Sequence, residues 1–250
     1  EHAGLPSSRI QRPIHSMIRR HLLLFLSLAC PLALHAQQVD ANAFKAHKIP
    51  MIVDVSGGFL LSKGKADDKD VHLLVDSGAI LEFVMTKKWA TDHGKELKKS
   101  GKGAGITGST ELFTTHLDLF DLAGALKIRD FDVHVIDLAK GVKFPKQNDG
   151  TTPDIDGLIG CKFLMKSGAV ISYQDNQLLI PANGNASDAY LNQSKAAGDR
   201  VIPLTKTNSG AAFIPIKFGE KEFMFLIDSA AGSNIILPEV AGEIGLDLKE

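Results

Sequence analysis

The sequence predicts a mainly β protein with few helices, in which one folding unit is used twice about a pseudo-twofold axis. Strand-like apolar runs separated by Gly, Asp and Ser turns dominate from Ile49 onward, and that is the first observation. The second is a run at 71–84, where apolar residues deliver Asp76 into Ser77-Gly78-Ala79 and then resume at once. The third is the return of that run at 223–237, with Asp228 in the place of Asp76. Either stretch alone reads equally well as a surface turn capped by aspartate. Between hydrophobic runs, however, a carboxylate needs a pairing or hydrogen-bonding partner, because burying a bare charge is costly.

The duplication extends beyond the two Asp loops. Ile49-Pro50 and Ser56-Gly57 precede the first Asp, and Ile202-Pro203 and Ser209-Gly210 precede the second. Downstream, Trp89-Ala90 leading to Gly94 parallels Val240-Ala241 leading to Gly245. The offset is 152 positions at the aspartates (228 − 76) and 153 at the prolines (203 − 50). A repeat held at so constant a spacing marks one supersecondary unit used twice. Carboxylates at equivalent points of two such units can meet at the axis between them.

These motifs resemble those of a retropepsin-like aspartic protease, of the bacterial kind with two lobes in one chain. Lobes of that family show a strand, Asp-Thr/Ser-Gly-Ala, a helix, a glycine-containing flap hairpin and a hydrophobic-hydrophobic-Gly motif. The corresponding stretches are 73–79, 86–97, 103–111 and Leu158-Ile159-Gly160, the last preceded by Asp156-Gly157 and followed by 168–173. The likeness covers roughly residue 49 to the end. It implies β-barrel lobes with short helices, Asp76 and Asp228 as the catalytic pair, and Ser77, Gly78, Ser229 and Ala230 as the support of their loops. It also implies a flap at Gly105, Ile106, Thr107 and Gly108, closing over an extended peptide or unfolded protein held by main-chain hydrogen bonds. The activity implied is that of an exported aspartic endopeptidase, hydrolysing peptide bonds by general acid and base activation of water, with no cofactor and no metal. A catalytically inactive module of the same fold, binding peptides or a partner protein, is the alternative.

Composition bounds these readings. Of 250 residues, 44% are hydrophobic and 23% charged, with a formal net charge of −1, which is ordinary globular composition. No basic excess points to nucleic acid. Residues 1–36 read as upstream sequence plus a secretory signal peptide starting at Met17: Arg19-Arg20, a short apolar run, and a small residue at Ala36. Pro31 interrupts the run too early for an integral membrane span. Export to the periplasm or beyond is expected. Ser27-Leu28-Ala29-Cys30 resembles a lipoprotein signal only faintly, since leucine is usual where Ser27 stands.

Residues 37–181 are the expected first lobe, and 182–200, rich in Asn, Gly, Ser, Ala and Lys, the linker. Residues 201–250 begin a second lobe that, by the repeat, lacks a flap and its late strands. Only 22 positions follow Asp228 (250 − 228), against 84 from Asp76 to Gly160 (160 − 76). The chain is therefore expected to be a piece of a longer protein whose lobes pair within one chain, a homodimer being the other arrangement.

Within the first lobe the expected elements run in order. Strands at 51–55 and 58–62 lead to a solvated charged hairpin tip at 63–70. A helix follows at 86–97, capped by Thr86, with Trp89 and Leu97 buried. The glycine-rich hairpin at 100–110 comes next, then strands at 117–122, 125–128 and 131–136, and a polar loop at 140–153. Gly101, Gly103, Gly105 and Gly108 do not open a βαβ unit, which excludes a phosphate-binding loop and suits a mobile lid. The nine histidines include His72, His93, His116 and His134 on different elements, with no His-x-x-x-His pair, so zinc is not implied. Asp67-Asp68-Lys69-Asp70 lacks EF-hand spacing. Without a signal peptide Cys161 has no cysteine partner, and it is expected as a small buried hydrophobe in a strand. Two positions depart from the family pattern. Ala230 stands where glycine is expected, its Cβ set to crowd the loop or block its backbone angles. Ile80 stands where serine is frequent.

Overall fold

The computed structural model describes residues 46–54, 59–105, 108–138, 154–182 and 186–246. All of them fall within one unit, Val39–Glu250. The signal-peptide region, the polar loop at 140–153, Ser56-Gly57, and Ile106 and Thr107 lie outside the described residues.

Strand β1 (Ala46–Asp54) pairs antiparallel with β2 (Phe59–Ala66), and β2 with β3 (Lys69–Asp76). The β2–β3 hairpin turns on Asp67 and Asp68 alone. Both have positive φ, 47° and 65°, the mirror-image turn that matches strand twist and is favoured by Asp, Asn and Gly. This tip is not simply solvated, as the charge run implied. Asp67 Oδ1 accepts the Leu119 N–H at 3.0 Å, and Oδ2 pairs with Lys95, tying the tip to the strand beneath it.

After β3 the chain crosses to β4 (Phe83–Thr86) and helix α1 (Lys87–Asp92). Thr86 caps α1 by accepting the Trp89 N–H at 3.1 Å, as the sequence predicts. The helix stops at Asp92, well short of 97, although Leu97 still packs on the core. A long hairpin follows, β5 (Lys98–Gly105) against β6 (Gly108–Leu122), and then β7 (Leu126–Ile136). Each is longer than its apolar alternation showed, since polar residues facing water leave no hydrophobic signal.

The first lobe closes with β8 (Gly157–Gly160), α2 (Cys161–Ser167), β9 (Val170–Ser172) and β10 (Gln177–Pro181). The strand order is β5-β6-β7-β4-β8-β3-β2-β1-β10-β9, and an extra β6–β2 pairing closes six of these strands into a barrel. Its core is aromatic. Phe83 lies 4.5 Å from Phe163 and 5.0 Å from Phe120 between ring centroids, and Leu73, Val75, Met85 and Ile159 are fully buried around them.

The stretch read as a linker forms a helix, α3 (Ala186–Ala196), whose Tyr190 packs on Leu179 of β10. Beyond it lie β11 (Thr205–Lys206), β12 (Ala212–Phe218), β13 (Lys221–Leu226) and α4 (Pro238–Glu243). The three strands make a separate sheet. This part has little interior: among the described residues after 200, the buried apolar ones are Ala211, Ala212 and Ala241.

Candidate functional site

The site begins with β3, which lies between β2 and β8 and is apolar because both its faces are covered. Pairing with β8 is parallel, and it sets Asp76 opposite Gly160. The chain then has to leave the sheet within a few residues. Gly160 permits that turn, since a Cβ there would stand 2.0 Å from Leu81 O and 2.7 Å from Ala79 O. Two hydrogen bonds fix the loop on the start of α2: Gly160 N–H to Glu82 O at 2.8 Å, and Cys161 N–H to Ala79 O at 2.7 Å. The hydrophobic-hydrophobic-Gly motif is thus the seat of the Asp76 loop.

Within that loop, Asp76 Oδ1 accepts N–H groups from Gly78 and Ala79, each at 2.9 Å. The second loop repeats the design after β13. Asp228 Oδ1 accepts the Ala230 N–H at 2.8 Å. The Ala231 N–H reaches Asp228 O at 3.3 Å, matching Ala79 N–H to Asp76 O at the same distance.

The loops are joined by two serines acting reciprocally. Ser77 N–H donates to Ser229 Oγ at 3.0 Å and Ser229 N–H to Ser77 Oγ at 2.9 Å. The Ser77 hydroxyl donates to Ile227 O at 2.8 Å, and that of Ser229 to Val75 O at 2.7 Å. Each hydroxyl therefore gives one bond and receives one, so no polar group at the junction is left unmet.

Between the serines the carboxyls of Asp76 and Asp228 hydrogen-bond each other. Burial, then the Asp228 charge, pushes the Asp76 carboxyl from 3.8 up to about 6, against the opposing pull of the Ala79 and Gly78 N–H groups. Gly78 is required for space: a Cβ there would stand 2.7 Å from Asp228 Cγ. The structure thus brings together Asp76, Ser77, Gly78, Asp228, Ser229 and Ala230. In the β5–β6 hairpin Gly105 pairs with Gly108.

Ala230 neither blocks the loop's backbone nor crowds it. Its φ lies outside the left-handed region, and it packs against the cluster of Phe59, Leu61, Leu74, Val84 and Leu158. The expectation of a blocked loop is thereby corrected: the glycine pattern reflects contact with the facing carboxylate, and the second loop lies where a methyl group is accommodated. Cys161 is buried as expected but opens a helix instead of lying in a strand. Its thiol is raised by burial and then by the Asp76 charge, which favours the inert thiol form. Tyr173, not singled out in the sequence, stands near enough to Asp228 for that charge, after partial burial, to raise its phenol. No periodicity or spacing marks it; only the folded chain brings it there.

Among the described residues no group of His, Cys, Asp or Glu is placed to hold a metal ion. No helix among them is long and apolar enough to cross a membrane. The sequence pattern of the aspartyl protease family matches residues 62–163. No curated protein matches the chain. Solved structures similar to it include a retropepsin-like aspartic protease from Rickettsia conorii, 18% identical, covering 54% of this chain and 100% of that one, with a TM-score of 0.38. The retroviral protease-like domain of Ddi1 from Leishmania major is 23% identical, with 50% and 90% covered and a TM-score of 0.34. Conglutin gamma, a basic 7S globulin from lupine seeds, is 13% identical, with 75% and 65% covered and a TM-score of 0.41. Residues 62–163, which carry Asp76 and the seat of its loop, thus match the aspartyl protease family, and the fold around them is mainly β with short helices.

Proposed function

We propose that the protein is an aspartic endopeptidase in which Asp76 and Asp228 form the catalytic dyad. The observation that carries this reading is the direct pairing of the two carboxyls across serine-linked loops, with Asp76 raised to about 6. Two carboxylates so close cannot both ionise comfortably, so the pair keeps one proton over a wide pH span. The ionised member takes a proton from a water lying between the pair and the peptide, and that water attacks the scissile carbonyl carbon. The neutral member gives its proton to the carbonyl oxygen, forming a tetrahedral diol. The diol collapses as the protonated carboxyl gives its proton to the departing amine and the ionised one takes a proton from a diol hydroxyl, so the C–N bond breaks, a carboxylic acid forms and the dyad ends with one proton again. The backbone donors from Gly78, Ala79 and Ala230 hold each carboxyl in place, so orientation is set before substrate arrives.

The substrate in this reading is an extended peptide or unfolded protein under the β5–β6 hairpin. An inactive binding module would have been favoured by a loop distorted at Ala230, and the ordinary backbone there supports the enzyme instead. The pattern at 17–36 supports export, testable by cell fractionation. The decisive assay is pepstatin-sensitive cleavage of an unfolded protein, measured for the wild type, Asp76→Asn and Asp228→Asn. Both variants should lose turnover. Cleavage that survives in Asp228→Asn but not in Asp76→Asn would instead assign the pair to two copies of the first lobe.

A further inference from the structure

One face of the first-lobe sheet changes character with distance from the dyad. On β3, Leu74 lies two residues before Asp76, so both side chains leave the same face. Strand pairing carries that face outward in register: Leu74 opposite Leu158 of β8, Leu158 opposite Val84 of β4, and Val84 opposite His134 of β7. The row ends with Thr114 of β6 opposite His134, and Lys98 of β5 opposite Thr114. Packing agrees with the register. Leu74, Leu158 and Val84 share one cluster, whereas Val133 and Val135, which flank His134, belong to the core on the other side. The row is therefore apolar beside the dyad and polar at its far end. That polar end lacks partners within the protein. His134 is half-buried, and its Nδ1 is shut off from solvent with no hydrogen bond among the described residues. Leaving a buried ring nitrogen unbonded is costly, so the position calls for a reason. Lys98 is exposed and makes no ion pair among the described residues, although Lys95 and Lys99 are paired with Asp67 and Glu111. Asp132, two residues before His134 on the same face of β7, is already engaged by His116 at 3.1 Å.

We propose that His134, Thr114 and Lys98 form a subsite for an acidic side chain of the bound peptide and so act as specificity-determining residues. The inference rests on the protease reading above and names the substrate class which that reading leaves open. Imidazole, hydroxyl and ammonium stand side by side, each with a hydrogen to donate. A carboxylate can accept from all three, and bonds to an ionised acceptor are about twice as strong as neutral ones. With Nδ1 unbonded, no group among the described residues holds the His134 ring in one tautomer. The ring can therefore turn whichever nitrogen carries the hydrogen toward the ligand. The apolar stretch of Leu74, Leu158 and Val84 separates this subsite from the dyad by three strand spacings, about 14 Å. An extended peptide advances about 3.3 Å per residue, which places the acidic residue about four positions from the scissile bond.

The test uses the full chain, its His134→Leu and Lys98→Gln variants, and peptides that differ only in a Glu or a Gln moved along either side of an apolar pair. For each position, kcat/KM of the Glu peptide is divided by that of its Gln twin. In the wild type the ratio should reach about tenfold with the acid roughly four positions from the cut, as a hydrogen bond to a charged group provides. Each variant should bring that ratio down severalfold. A wild-type ratio near one at every position overturns the proposal. So does a ratio that both variants retain, or a loss that falls equally on the Glu and Gln twins, which is the mark of a structural role. Should His134→Leu fail to fold, Lys98→Gln decides alone, because it alters an exposed residue. Fluorescence anisotropy of the same peptides on Asp76→Asn reads the preference without turnover. Acid-selective binding by a chain that cleaves no peptide would uphold the subsite while removing the protease reading. Cleavage with no preference for Glu would keep the protease reading and overturn the subsite.

Discussion

Asp76→Asn provides a test of the site that needs no substrate. In the folded protein Asp76 keeps its proton to about pH 6, whereas the unfolded chain loses it near 3.8. Between those values the folded state binds more protons than the unfolded one, so stability falls as pH rises through the window and levels off above it. A displacement of about two pH units corresponds to roughly 3 kcal/mol at most, and about 1–2 kcal/mol once solvent screening at this half-buried group is allowed for. Asparagine cannot ionise, keeps a carbonyl oxygen for the Gly78 and Ala79 N–H groups, and can donate to Asp228 through its amide. The variant should therefore match the wild type below pH 4 and exceed it by about 1–2 kcal/mol at pH 7. Urea unfolding at a series of pH values from 3.5 to 7.5 measures this difference. A difference that stays constant with pH, or a wild type that gains on the variant as pH rises, would refute the reasoning.

Three further outcomes follow from the geometry. Ser77→Ala strips the acceptor from Ser229 N–H and the donor from Ile227 O, and should cost about 2–3 kcal/mol by chemical denaturation; a loss near zero would mean the serines do not hold the loops together. Gly160→Ala forces a Cβ to within 2.0 Å of Leu81 O, so it should destabilise by at least about 1–3 kcal/mol and displace the Asp76 loop, visible as changed carboxyl shifts in NMR. The chain 37–250 exposes Ile202, Leu204, Met224, Ile235 and Leu237 on its second lobe and should associate with rising concentration; sedimentation of a single monomeric species would contradict this.

Much of this was legible because the repeat is a long-range signal written in local residues. Asp76 and Asp228 lie 152 positions apart, and only duplication says that they meet. Thr86 was legible as a cap because its hydroxyl acts within one turn. What stayed hidden depended on contacts between distant segments. Asp67 looks like a solvated turn residue until Lys95 and the Leu119 N–H are folded against it. The early end of α1 was hidden too. His93 caps the helix end, and Gly94 follows in a left-handed conformation, whereas Leu97 packs half-buried on the core after the helix has ended and mimics a further turn. Tyr173 reaches Asp228 through tertiary placement alone. Ala230 stands out in the sequence as a departure, but that its methyl group is accommodated depends on the Leu74–Leu158 cluster it packs against.

The order of the second Asp loop has an unusual source. Among the described residues its own lobe offers three buried alanines as core, too little to hold a carboxylate to a fraction of an ångström. The loop is positioned from the other side instead. Ser229 hydrogen-bonds to Val75 O and to Ser77, Ile227 O receives the Ser77 hydroxyl, and Ala230 packs on the Leu74–Leu158 cluster. All of these partners belong to the first lobe, whose barrel is closed and aromatic-cored. Asp228 is thus held in place by docking, while Asp76 is held by the sheet that carries it. The dyad can therefore form only when the two loops are joined. Conditions that loosen the second lobe should release Asp228 while leaving Asp76 on its strand, and protection of the Ser229 amide from hydrogen exchange reports that event directly.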